Sequence, residues 1–137
     1  MSGYSGKPLA QKLGLKPGLR AAFQNAPVDF ADDRQAWPEG LELVSTEQTE
    51  QPLDFLLLFA ADTACLERDL PRAAALIGVD GMLWIAWPKR ASGVPTDLND
   101  AEVRRLGLGT GLVDIKVCAI NEIWSGLKFV RRRRDRK

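Results

Sequence analysis

The chain has no histidine among its 137 residues. That removes every histidine-based triad, every histidine general base and every histidine-ligated metal centre. Cysteine is scarce too: Cys65 and Cys118 stand in different expected elements with no C-x-x-C spacing. They cannot supply a structural zinc site, and they read as small packed side chains in a reducing compartment, with neither metal nor disulfide expected. Long apolar runs are missing. The longest, Phe55 to Ala61, is far shorter than the roughly 18 residues of a membrane span and suits a buried strand. The polar start Met1 to Ser5 lacks the apolar stretch of a signal peptide, so a cytoplasmic location is expected. Catalysis, if there is any, is left to carboxylates, lysine, tyrosine, cysteine or positioning alone.

What is present is ordinary for a globular protein: 45% hydrophobic and 27% charged residues, enough to bury roughly two thirds of the unfolded surface in one domain. The net charge of +1 hides an asymmetry, because six of the nineteen cations fall in the last seven residues. A mildly acidic body, residues 1–130, therefore precedes a basic tail, residues 131–137.

Along the chain, Pro8 to Leu13 predicts a short helix stopped by Gly14. Leu19 to Gln24 and Leu41 to Val44 predict short strands, with a weak helical turn over Asp29 to Trp37 between them. The nearly continuous apolar run Leu53 to Ala60 predicts a strand covered on both faces. Leu66, Leu70, Ala73 and Ile77 recur at helical spacing, and Pro71 predicts a kink or a split in that helix. Gly81 to Trp87 predicts a second covered strand. Asn99 followed by Glu102 predicts a capped helix to about Leu106, where glycines end it. Val113 to Ala119 alternates, with Val113, Ile115 and Val117 on one face, and Ile123 to Val130 returns as an antiparallel hairpin. The pattern is α/β: a mostly parallel Rossmann-like sheet with helices on both faces and a C-terminal antiparallel hairpin.

This order of elements resembles the second half of a class I S-adenosylmethionine-dependent methyltransferase. Gly3-Tyr4-Ser5-Gly6 with Pro8-Leu9 and Lys12-Leu13-Gly14, Gly81-Met82-Leu83-Trp84 with Trp87-Pro88-Lys89, and Trp124 to Phe129 also resemble a small bacterial family, a domain of unknown function that brings no activity with it. The methyltransferase resemblance implies a glycine-rich turn after the first strand, yet Gln24-Asn25-Ala26-Pro27-Val28 contains no glycine. No cofactor is therefore expected, and S-adenosylmethionine is disfavoured. Were it to bind, Asn25 and Glu47 would contact it, although Glu47 also reads simply as solvated charge. Gly107-Leu108-Gly109-Thr110-Gly111 imitates a phosphate loop but follows a helix and precedes a strand, the wrong context, and reads as helix termination.

Ligands of open α/β sheets bind beyond the carboxyl ends of the strands. Those ends are expected to bring Asn25, Asp62, Trp87, Lys89, Ser92, Glu122 and Trp124 to one edge, where the two indoles and the polar groups would hold a small, partly planar ligand. The plainer account has Asp62 capping a helix, Lys89 and Glu122 solvated, and the tryptophans in the core. A protein partner is an open alternative. Arg131, Arg132, Arg133 and Arg134 offer weak, nonspecific phosphate contacts to nucleic acid, and the segment from Arg132 to Lys137 is expected to be mobile and dispensable for folding. The functional expectation is a non-catalytic methyltransferase-like domain binding a small ligand or protein; a methyltransferase with an atypical turn and a polyanion-binding accessory protein are the alternatives.

Overall fold

The computed structural model describes residues 9–27, 30, 37–49 and 51–132. Helix α1 (Leu9–Leu13) ends at Gly14, whose φ of 87° is the left-handed closure that glycine adopts without cost. The chain then makes β1 (Arg20–Gln24), β2 (Glu42–Leu43) and β3 (Leu53–Phe59), and turns into α2 (Thr63–Leu76). Strand β4 (Ile77–Pro88), a 3-10 turn (Arg90–Ser92), α3 (Asp100–Leu108), β5 (Leu112–Ala119) and β6 (Trp124–Arg131) complete it. Most of the turn expected over Asp29 to Trp37, and the tail from Arg133 on, lie outside the described residues.

The six strands form one sheet in the order β2-β1-β3-β4-β6-β5. The first four are mutually parallel, and β6 runs antiparallel to both β4 and β5. Strand order therefore reverses beside β1: the chain steps outward to β2, then passes back over β1 to β3 and onward to β4. The sheet lies between two apolar layers because β3 is buried on both sides, its side chains alternating with the period of two. Leu56 and Leu58 join Leu66, Leu70 and Ala73 of α2 and Val103 of α3. Phe55, Leu57 and Phe59 join Leu13, Ala21 and Trp84 on the other side. Trp84 is wholly buried, and its indole Nε1 donates to the Leu13 carbonyl at 2.9 Å, which ties α1 to the sheet while satisfying the ring's one polar atom.

Several expectations need correction. Pro71 does not split the helix; α2 runs unbroken through it. Pro71 is exposed, so water can serve the carbonyl that loses its partner, while Leu66, Leu70, Ala73 and Ala74 hold the helix on the sheet. Strand β4 starts at Ile77, ahead of Gly81, with residues 78–81 bulged out between the pairs Leu53–Ile77 and Phe55–Met82. A Cβ on Gly81 would lie 2.6 Å from the Leu53 carbonyl oxygen, so the bulge requires glycine. Gly107 is not a terminator: it is buried inside α3, which continues to Leu108 before Gly109 caps it. The Asn99 side chain does cap α3, accepting from the Glu102 amide at 2.8 Å, but the Glu102 carboxylate turns to Arg105 instead of closing a capping box. Finally, the alternation in β5 is broken at Ile115, an extra residue between the pairs Asp114–Phe129 and Lys116–Lys128. Ile115 and Val117 are about half exposed (54% and 51%).

Arg131 belongs to β6 and is paired with Leu112. Its guanidinium donates to the carbonyls of Ile77 (2.6 Å), Ala74 (3.2 Å) and Gly78 (3.3 Å). The Ala74 and Ile77 carbonyls stand at the open C-terminus of α2, where a cation is favoured, and Gly78 opens the bulge of β4. The Arg131 side chain is thus engaged at the end of α2. No helix among the described residues is long and apolar enough to cross a membrane.

Candidate ligand site at the strand-order switch

Strand β1 ends at Gln24, and the next residue turns sharply. Asn25 has φ 61°, the one positive φ outside glycine among the described residues. Asparagine is one of the few L-residues that tolerate this conformation, since its short amide can bond locally. Its Nδ2 donates to the Phe59 carbonyl at 3.2 Å and to Asp69 Oδ2 at 2.9 Å. One amide thereby joins the carboxyl ends of β1 and β3 to α2, at the point where strand order reverses.

Asp69 is the electrostatic centre of this group. Arg68 Nε lies 3.1 Å from its Oδ1, and that hydrogen bond, helped by the one from Asn25 and opposed by partial burial, holds the carboxyl below its ordinary range. Cys65, one turn back on α2, places its Sγ 3.7 Å from Asp69 Oδ2 and 3.4 Å from Arg68 Nη2. The start of α2 carries two further carboxylates. Asp62 accepts from the Cys65 amide at 2.8 Å, and Asp97, from the loop after the 3-10 turn, accepts from the Thr63 amide at 2.8 Å. That amide bond holds Asp97 below the usual carboxylate range as well. Asp62 and Asp97 thus set two carboxylates at the start of α2, and the Asp69–Arg68 pair follows along the helix.

The structure engages the residues expected at the edge in separate local contacts. Asp62 caps α2. Trp87 is buried with the α2 layer, whereas Trp124 packs with the opposite layer, its ring 5.1 Å from Phe59 and perpendicular to it. The two indoles lie on opposite faces of the sheet and cannot enclose one planar ligand. Lys89 bonds through its backbone, its amide reaching the Ile123 carbonyl at 2.7 Å, and Ser92 Oγ donates to the Lys89 carbonyl at 2.6 Å. Glu122 is exposed in the turn before β6, and Glu47 is exposed after β2. The sequence reading missed Asp69, Arg68, Cys65 and Asp97. Cys65 and Asp69 stand four residues apart, the spacing that aligns side chains along one helix face, but that spacing alone marks no site. Two open cavities, of about 530 and 440 Å³, lie elsewhere, one under the amino ends of β3 and β4 and the other beside the loop after β2.

No known family profile matches the chain, and no curated protein does. Solved structures do match. Magnesium protoporphyrin IX methyltransferase from Synechocystis PCC 6803, with bound S-adenosylmethionine, superposes with a TM-score of 0.58 at 12% identity, over 90% of this chain and 74% of that one. A TehB-like S-adenosylmethionine-dependent methyltransferase from Corynebacterium glutamicum gives 0.56 at 10% identity, over 95% and 90%. Mitomycin 7-O-methyltransferase gives 0.61 at 13% identity, over 90% and 53%. The expectation of no cofactor is corrected by these neighbours, since the Synechocystis enzyme of the same fold is seen with S-adenosylmethionine and with S-adenosylhomocysteine. That expectation rested on the missing glycine turn, and Asn25 supplies the left-handed residue there without a glycine. The chain has the α/β fold of class I S-adenosylmethionine-dependent methyltransferases.

Proposed function

We propose that this protein binds S-adenosylmethionine, or S-adenosylhomocysteine, the product left after methyl loss, at the carboxyl ends of β1 and β3. The observation that carries the reading is the reversal of strand order at Asn25, where a left-handed residue and an anionic helix start share one edge. The residues suit the ligand's chemistry. S-adenosylmethionine carries an ammonium and a sulfonium, and Asp62 and Asp97 set two carboxylates at the start of α2. Asn25 and Glu47 are the groups that the methyltransferase resemblance assigns to the cofactor. The bound ligand would supply an electrophilic methyl group, while the chain's own residues bind and orient it. Fold likeness at 10–13% identity supports the binding reading and names no methyl acceptor.

Isothermal titration of the full chain with S-adenosylmethionine and S-adenosylhomocysteine tests this directly. Saturable binding at micromolar concentrations is expected, weakened at least about tenfold, or about 1.4 kcal/mol, in Asp69→Asn. Absence of heat with either ligand up to millimolar concentration, together with an unchanged melting temperature, would overturn the reading.

A further inference from the structure

The face of the sheet that carries α1 bears a cationic cluster which the ligand site at the switch does not use. Lys128 of β6 and Lys116 of β5 are directly opposed in the antiparallel register. Like charges in that position repel, and such pairs destabilise a sheet. The Lys128 ammonium also lies 4.0 Å from where a Cβ on Gly14 would sit, two residues before Lys16. Burial, then Lys116, then Lys16 lower its proton affinity below that of an ordinary lysine. No carboxylate among the described residues forms an ion pair with any of the three. The three cations come from three separate elements, in a body that is otherwise mildly acidic. Past Lys128, β6 leads to Arg132 and the basic terminal segment.

We propose that Lys16, Lys116 and Lys128 form a binding site for the phosphate groups of an anionic ligand. Phosphate is the fitting chemistry because a multiply charged oxyanion can bridge several ammonium groups at once, and lysine binds phosphate as a point charge. The ligand offsets a repulsion that the free protein carries. The site is independent of S-adenosylmethionine and lies on elements that do not reach the switch.

The test compares the full chain with Lys128→Met, which keeps the aliphatic stem and removes the charge, and with Lys116→Gln on the exposed strand. At constant ionic strength, sodium pyrophosphate at low millimolar concentration should raise the melting temperature of the parent by about 2–6 °C. Both variants should lose most of that rise and, without pyrophosphate, should melt at or above the parent, because the repulsion is gone. A fluorescent 20-nucleotide single strand provides the second arm. Binding that weakens with salt and falls at least about tenfold in both variants identifies nucleic-acid phosphates as the source. A pyrophosphate response without oligonucleotide binding identifies a small phosphorylated ligand. If neither probe acts on the parent, or the variants respond as the parent does, the site is refuted and the lysines are solvated charge.

Discussion

Asn25 shows how much a single residue can decide. Its amide spans two strand ends and a helix, so the partner it holds, Asp69, should affect stability in a pH-dependent way. Asp69 is held below its ordinary value of 3.8 mainly by Arg68, so its contribution is complete above the unfolded pKa and is lost as pH falls through the lower folded one. Asp69→Asn should cost about 1 kcal/mol near neutral pH, since Arg68 is largely exposed and solvent screens the pair. The gap in melting temperature between parent and variant should narrow progressively below pH 4. A gap that persists unchanged at pH 2.5 would locate the effect in packing instead. Asn25 was legible because the residue after β1 always falls at the edge of such a sheet. Asp69 was not, since a carboxylate flanked by Arg68 on a helix reads as solvated charge until the fold brings β1 alongside.

At the scale of elements, packing overrides local preference in both directions. Pro71 breaks helices by propensity, yet α2 absorbs it on its exposed side. Gly107 weakens helices by propensity, yet α3 needs it: a Cβ there would lie 2.1 Å from Phe129 Cζ, and that ring is fully buried with nowhere to retreat. Two magnitudes compete in Gly107→Ala. Helix propensity favours alanine by about 1 kcal/mol, while forcing a methyl into a filled core costs about 1–3 kcal/mol. The overlap is with a confined ring, so overpacking prevails, and the melting temperature should fall by several degrees in a thermal scan. Gly109→Ala, whose Cβ would meet nothing closer than 3.3 Å and whose φ is already right-handed, should shift it by less than about 2 °C. An equal loss in both would contradict the close approach of α3 to β6. Sequence could not reveal this role, because helix ends and tight helix–sheet contacts both select glycine and the partner, Phe129, stands 22 positions away.

For the molecule as a whole, the alternation of strands and helices was readable, and so were the two covered strands and the final hairpin, because burial on both faces and tight turns leave marks in neighbouring residues. Strand order and register were not readable. They depend on which distant segments pair, and both bulges, at residues 78–81 and at Ile115, interrupt the regularity on which such reading rests. Arg131 belongs at this scale, since it connects the last strand to the end of α2. Arg131→Ala should cost about 1–2 kcal/mol by urea denaturation, because hydrogen bonds to a charged donor and a favourable helix terminus are lost together. Arg132→Ala, one residue on and exposed, should stay within about 0.5 kcal/mol. Equal effects would mean that the basic segment acts only through its summed charge.

The Ile115 bulge has a further consequence for how the sheet ends. An outermost strand ordinarily offers a row of unpaired amides and carbonyls on which another chain can build, and aggregation begins there. In β5 the extra residue breaks that row, and Lys116 sets a charge beside the break. At the opposite side, β2 is only two residues long, both of them exposed. One border is irregular and charged, the other too brief to template a neighbour, so the same bulge that defeated the alternating pattern also guards the protein against strand-by-strand growth into fibres.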